Sequence, residues 1–228
     1  GRGDYRQSPT EFVMPDGSFV TDFTYYSHEI IEGSVGMDTL PGAYGADQTL
    51  KITLKDKAFP VFIDLYYSVF EKADVITRRA VVRNEADGPV IMRRIMSMLL
   101  DMPDENFYMY TLDGGWIKEA HLHKRQVTYG TISNSSITGA SSNRHNPAFM
   151  LAEADAGEDY GNVYGFNIIY SGNHYSIVQK NERDYVRISM GINPHCFEWK
   201  LKKGEKFETP ECVLTFSSHG FNGMSHHM

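Results

Sequence analysis

The sequence predicts an all-β protein built as one large antiparallel β-sandwich, and three observations carry that prediction. Apolar and polar residues alternate in short runs, as at Leu50-Lys51-Ile52-Thr53-Leu54-Lys55, the mark of a half-buried strand. Gly, Asn, Asp and Pro fall between the runs, often at the spacing of about ten residues that sandwich and barrel strands show. Aromatic residues make up 13% of the 228, with 14 Tyr and 13 Phe, an enrichment that suits strands better than helical bundles.

The elements follow in order. Phe19–His28 is the first candidate strand, entered through the turn Pro15-Asp16-Gly17-Ser18, where glycine supplies positive φ. Leu50–Lys55 is next, then Val61–Phe70, longer and rich in β-branched and aromatic residues, as a central strand should be. Ile76–Arg83 and Val90–Leu100 are joined by Asn84-Glu85-Ala86-Asp87-Gly88-Pro89, a hairpin-like connector. In Val90–Leu100 the positions Ile91, Ile95, Met98 and Leu99 also fit a helical face, but the neighbouring segments argue for strand. The remaining candidates are Trp116–His123, Thr131–Thr138, Phe149–Glu153, Val163–Tyr170, Tyr175–Gln179, Val186–Met190, Phe197–Leu201 and Cys212–Ser217. The turns Ser171-Gly172-Asn173 and Lys202-Lys203-Gly204-Glu205 separate four of them in two pairs. Asn222 and Ser225 are N-cap residue types, so residues 222–228 are expected to open a linker helix after a β-domain spanning residues 1–221.

Charge and cysteine content narrow the function classes. Lys plus Arg is 22 and Asp plus Glu is 29, so the net charge is −7. Such a chain lacks the basic footprint that a phosphate backbone demands, so nucleic acid is not an expected partner. No apolar run approaches the ~20 residues of a membrane-spanning helix, and no membrane role is expected. Two cysteines, Cys196 and Cys212, are too few for a disulfide framework and suit a reducing, cytoplasmic setting. Both ends read as cuts: the chain opens on Gly1-Arg2-Gly3-Asp4-Tyr5-Arg6 without an initiator Met and stops at Ser225-His226-His227-Met228. An excised piece of a longer protein is expected.

Few residue patterns point to chemistry. His121-Leu122-His123 puts two imidazoles on one strand face, yet Lys124-Arg125-Gln126 follows where a metal site would need a carboxylate. Histidines on a solvent face are the plainer reading. Arg2-Gly3-Asp4 spells an adhesion tripeptide, and Asn134-Ser135-Ser136 fits the glycan-acceptor pattern; without other support each reads as ordinary loop. Asp101, Asp104 and Glu105 in one loop, and Asp155, Glu158 and Asp159 in another, read as solvated acidic turns rather than a glycosidase carboxyl pair. No nucleophile elbow, phosphate-cradling glycine loop or Cys/His metal spacing is present, so no cofactor or metal is expected. The sharpest candidate is Asp113-Gly114-Gly115-Trp116, read as a loop in which two glycines allow close backbone approach to a ligand and the indole offers a platform for a sugar ring. The same tryptophan could instead begin the next strand and face the core. Gly139-Ala140-Ser141-Ser142-Asn143-Arg144-His145-Asn146-Pro147 is dense in hydrogen-bonding groups that could meet sugar hydroxyls or satisfy their own backbone.

These same segments resemble the N-terminal domain of family 36 α-galactosidases. The resemblance runs through Gly1-Arg2-Gly3-Asp4-Tyr5-Arg6, Asp22-Phe23 with Ser27-His28, Leu40-Pro41, Asp113-Gly114-Gly115-Trp116 and Gly139–Pro147. It continues in Val163-Tyr164-Gly165-Phe166, Tyr170-Ser171-Gly172-Asn173, Met190-Gly191-Ile192-Asn193-Pro194 and Phe221-Asn222-Gly223-Met224-Ser225. The motifs come in family order and cover nearly the whole chain. One departure is Gln7-Ser8-Pro9, where the family runs from Gln directly to Pro.

The resemblance implies a supersandwich of the galactose-mutarotase-like type, preceding a (β/α)8 barrel that carries an Asp nucleophile and an Asp acid/base. The Lys-Trp-Asp type motif of that nucleophile is absent here, so the fragment itself is expected to be inactive. It further implies a parent enzyme acting with retention on terminal α-1,6-galactosides of the melibiose and raffinose kind, often a tetramer in which this domain helps form a neighbour's active site. Trp116 matches the tryptophan that helps wall the galactose pocket. An N-terminal aspartate used by some members would lie upstream of Gly1, and that role does not transfer to Asp4. Two rivals are an autonomous carbohydrate-binding β-sandwich module and an aldose epimerase. The second needs a histidine and glutamate acid/base set facing one cleft, which His121 and His123 do not provide.

Overall fold

The computed structural model describes residues 6–141 and 144–227. Sixteen strands, one α-helix and one short 3-10 helix at Glu71–Ala73 are formed among them. In chain order, β1 is Thr10–Val13, β2 Phe23–Glu32, β3 Gln48–Asp56, β4 Val61–Phe70, β5 Val75–Asn84 and β6 Val90–Pro103. Then come β7 Tyr108–Gly115, β8 Lys118–Gln126, β9 Gly130–Ser135, β10 His145–Ala152 and β11 Val163–Ile169. The last strands are β12 His174–Lys180, β13 Tyr185–Ile192, β14 Trp199–Leu201, β15 Lys206–Glu208 and β16 Glu211–Ser217, followed by α1 at Gly220–His227.

Two antiparallel sheets form the sandwich. The larger has ten strands in the order β2-β3-β4-β5-β16-β11-β10-β7-β8, with β15 also on β5. The smaller runs β1-β6-β13-β12, with β14 also on β6. Apolar side chains from the two facing surfaces fill the space between them, as aligned sheet packing requires. One core joins Met98, Val178, Val186, Ile188 and Met190 to Met109, Phe149, Leu151, Phe166, Ile168 and Cys212. A second joins Phe12, Val90, Met92, Ile95 and Leu201 to Val61, Ile63, Ala80 and Val82. Cys196 is exposed and Cys212 buried, both as free thiols, and burial pushes the Cys212 thiol up to about 12. No helix among the described residues is long and apolar enough to cross a membrane.

The smaller sheet does not cover the whole of the larger one. At one edge every residue of β8 is exposed, and at the other β2 is exposed except at Phe23 and Ile31. The edge that carries β8 is the one that matters for the site.

β6 explains the helix-like pattern between Val90 and Leu100. Its register shifts opposite β1, where Glu11 pairs Arg94 and Phe12 pairs Met92. It shifts again opposite β13, where Met190 pairs Met98 and Gly191 pairs Met96. Each shift inserts one extra residue, Arg93 and Ser97, as a β-bulge does. The inward positions therefore become Val90, Met92, Ile95 and Met98, a spacing close to three.

α1 lies on the outer face of the larger sheet, where buried Met224 meets Tyr110, Ala152 and Val163. It starts at Gly220, two residues before the expected 222–228 segment, and neither Asn222 nor Ser225 caps it. The Gly220, Phe221 and Asn222 N–H groups donate to the carbonyls of Gly161, Gly157 and Glu158, so loop backbone satisfies the first orphan donors. The Asn222 side chain instead donates to Asp159 Oδ1 at 2.8 Å.

Candidate functional site

The site candidate is the tip of the β7–β8 hairpin. β7 continues through Asp113-Gly114-Gly115, so this segment is strand and not the loop expected from its glycines. The pairs Leu112–Leu122, Asp113–His121 and Gly115–Lys118 set the register, with a shift between Asp113 and Gly115. Only Trp116 and Ile117 remain to make the turn. Gly114 is needed because a Cβ there would lie 1.9 Å from the Lys118 carbonyl oxygen. The close approach this glycine permits is therefore to its own hairpin partner, not to a ligand. Gly115 has open space beside it.

Trp116 is 86% exposed and Ile117 is 73% exposed. Of the two readings of Trp116, inward packing is overturned: the indole stands free at the end of a ribbon that reaches past the sandwich. Ile117 has φ +63°, a left-handed conformation that costs a β-branched residue about 1–2 kcal/mol. Its N–H donates to Glu119 Oε1 at 3.0 Å.

A set of polar contacts ties the base of this tip to β10. His145 Nδ1 donates to Asp113 Oδ1 at 2.9 Å, and Thr111 Oγ1 donates to Asp113 Oδ2 at 2.6 Å. Gly114 N–H donates to the Arg144 carbonyl at 3.0 Å. Burial works to raise the Asp113 carboxyl, but the hydrogen bonds from Thr111 and His145 and the charge of Arg125 hold it below its usual range. Asp113 is thus an ionised brace for the hairpin.

The other sequence candidates resolve as follows. His121 and His123 are exposed on β8, and no group of three or more His, Cys, Asp or Glu among the described residues is arranged to hold a metal ion. The Gly139–Pro147 segment is not a free loop throughout, since His145, Asn146 and Pro147 belong to β10. Much of its polarity is engaged internally: Gly139 N–H donates to Asn173 Oδ1, Ser141 N–H to the Ser171 carbonyl, and Ser136 Oγ to the Ala140 carbonyl. Ser142 and Asn143 lie outside the described residues, as do Gly1–Tyr5, with the Arg2-Gly3-Asp4 tripeptide, and Met228. Asn134 is buried and donates to the Asn146 carbonyl, which removes it as a glycan acceptor in the folded chain.

The acidic turns form no catalytic pair. Asp101 receives two hydrogen bonds from Arg187, at 2.8 and 2.7 Å, and Asp104 holds Lys180 at 2.5 Å. Glu105 comes within hydrogen-bonding reach of Glu153, and burial together with that neighbour pushes its carboxyl up. Sequence reading did not pair these two, because Glu153 follows the end of β10, almost fifty positions away.

The described residues thus form a two-sheet antiparallel β-sandwich whose β7–β8 hairpin projects an exposed indole. The comparisons agree. The model of the glycosyl hydrolase family 36 N-terminal domain matches residues 1–202. Alpha-galactosidase 2 of Hypocrea jecorina is 36% identical over 228 residues, covering 99% of this chain and 31% of that protein. The crystal structure of the GH36 α-galactosidase AgaA from Geobacillus stearothermophilus superposes with a TM-score of 0.95 at 36% identity, covering 99% of this chain and 32% of that one. The α-galactosidase of Lactobacillus brevis gives 0.96 at 34% identity, over 100% and 31%. The chain belongs to the glycosyl hydrolase family 36 N-terminal domain family. It spans about a third of the length of the relatives it matches.

Proposed function

We propose that the chain is the N-terminal substrate-shaping and assembly domain of an α-galactosidase. The parent enzyme hydrolyses terminal α-1,6-linked galactosides of the raffinose and melibiose type with retention, through carboxylates on a (β/α)8 barrel to which residues 222–228 lead. In this reading Trp116 packs its indole against the apolar face of the galactosyl unit, in a tetramer of cytoplasmic subunits. Support for the substrate class comes from AgaA variants solved with raffinose and with stachyose. The observation that carries the reading is the indole itself. A family 36 N-terminal domain holds an 86% exposed tryptophan on a strained two-residue turn braced by an ionised aspartate, and strain of this kind gathers at functional sites.

The test is Trp116→Ala in the full-length enzyme. Loss of the platform is expected to lower kcat/KM for raffinose by about 5- to 150-fold, matching the ~1–3 kcal/mol of a large apolar side chain brought out of water. The melting temperature should stay unchanged, because an exposed side chain contributes little to stability. Unaltered kinetics would remove Trp116 from the site. The anomeric form of the first galactose released, read by proton NMR, tests retention.

A further inference from the structure

A second cavity lies well away from the hairpin. It opens where β14, on the smaller sheet, and β15, on the larger, face each other across the uncovered mouth of the sandwich. Trp199 comes from β14, beside core residue Leu201, and Phe207 from β15, opposite core residue Val82. Their ring centroids are 5.3 Å apart. Phe197 and Tyr170 complete the walls of a cleft of about 400 Å³, within the size range of small-molecule sites. β15 lies on the same side of β5 as β16, four strand spacings from β8 in the sheet order, and no residue of the β7–β8 hairpin lines the cleft, so this cleft and Trp116 are separate places.

The rim is polar and built. Lys206 Nζ pairs with Asp38 Oδ2 at 2.6 Å and with Glu208 Oε1 at 3.6 Å. The Asp38 N–H donates to Glu208 Oε2 at 3.0 Å, which closes the β2–β3 connection over one side. Arg79 lies 3.7 Å from Glu208, so two acids face two bases and the rim is formally neutral. The side chains of Asp38 and Lys206 remain about half exposed or more and keep hydrogen-bonding capacity toward the mouth. The Trp199 indole is 48% exposed. The aromatic floor favours a ligand with an apolar face, and the rim supplies acceptors and ammonium donors that a hydrocarbon would leave unused. The ligand that answers both has one apolar face and a hydroxylated edge.

We infer that the cleft between β14 and β15 is a second saccharide-binding site, which takes a neutral pyranose unit with its apolar face on Trp199 and its hydroxyls toward Asp38 and Lys206. This site stands whether or not Trp116 contacts substrate.

The chain contains two tryptophans, so Trp116→Phe leaves Trp199 as the single indole reporter. Titrating that variant with raffinose should give a saturable change in Trp199 emission, with an affinity in the range of about 1 mM. Adding Asp38→Ala, an exposed rim change that leaves the core intact, should weaken binding about tenfold, the scale of one lost hydrogen bond to a charged group. Phe207→Ala should weaken it at least as much, with far-UV circular dichroism confirming the fold. A Trp199 signal indifferent to raffinose would overturn the inference, and so would equal binding by the Asp38→Ala variant. Saturation by the neutral apolar probe N-phenyl-1-naphthylamine with no response to raffinose would also overturn it, assigning the cleft to apolar ligands or polypeptide.

Discussion

At the scale of single residues, the hairpin tip and one buried histidine carry opposite kinds of unfavourable energy. Ile117 holds a φ of +63° on an exposed turn, so the strain is local to the backbone of that turn. Ile117→Gly should raise stability by about 1 kcal/mol in urea denaturation, since glycine adopts this region without the Cβ clash. A destabilised variant would show that the isoleucine makes an apolar contact that offsets its strain. His174 is a different case. It is completely buried, and neither ring nitrogen meets a hydrogen-bonding partner among the described residues. Burial first, and the charge of His145 second, push its pKa down to about 4 from 6.5. A folded-state pKa below the unfolded one means the unfolded chain takes up the proton first. Stability is therefore full above about pH 6.5 and falls as the pH drops toward 4, by up to about 3 kcal/mol. Thermal melts between pH 7 and 4 should show this loss in the wild type and a flatter profile in His174→Gln. Parallel profiles would remove His174 as the cause.

At the scale of elements, what could be read in advance depended on whether local sequence or tertiary contact decides the structure. Val61–Phe70 is a strand with the bounds its composition indicates, because a long β-branched and aromatic run between turn signals has no other reading. β7 was missed. Tyr108–Leu112 has side chains that meet partners on both faces, so its period is masked, and Gly114-Gly115 imitates a turn while the true turn is Trp116-Ile117, residues with no turn preference. Trp116 stood out in the sequence as a residue, but the geometry around it did not, since the Asp113–His145 contact joins segments some thirty positions apart. α1 was only half legible for the same reason. Two glycines in eight residues argue against helix, and capping by the Gly157 and Glu158 carbonyls with burial of Met224 supplies what propensity does not. It follows that the helix depends on its anchor. Met224→Ala should cost about 2–3 kcal/mol by the transfer and cavity terms of a buried methionine, and should release α1 to rapid amide exchange. A cost under about 0.5 kcal/mol would mean the helix rests on its backbone caps alone.

At the scale of the whole molecule, the sandwich holds many carboxylates, and among the described residues none is arranged for glycoside cleavage. A retaining enzyme needs two carboxyl groups about 5 Å apart, one ionised to attack and one protonated to donate, with the scissile bond between them. Asp101 and Asp104 are neutralised by Arg187 and Lys180, and Asp113 is held ionised at the base of the hairpin. Glu105 does have its carboxyl pushed up, the right direction for an acid. Its neighbour Glu153, however, is within hydrogen-bonding reach, closer than the separation of about 5 Å that a retaining pair keeps. Glu153 is further occupied by the Asn162 side chain at 2.7 Å. The 228-residue chain alone is therefore expected to release p-nitrophenol from p-nitrophenyl α-galactoside no faster than buffer does. Release above that background, lost on Glu153→Gln, would place a working acid on this sandwich and contradict the assignment of bond cleavage to a separate barrel.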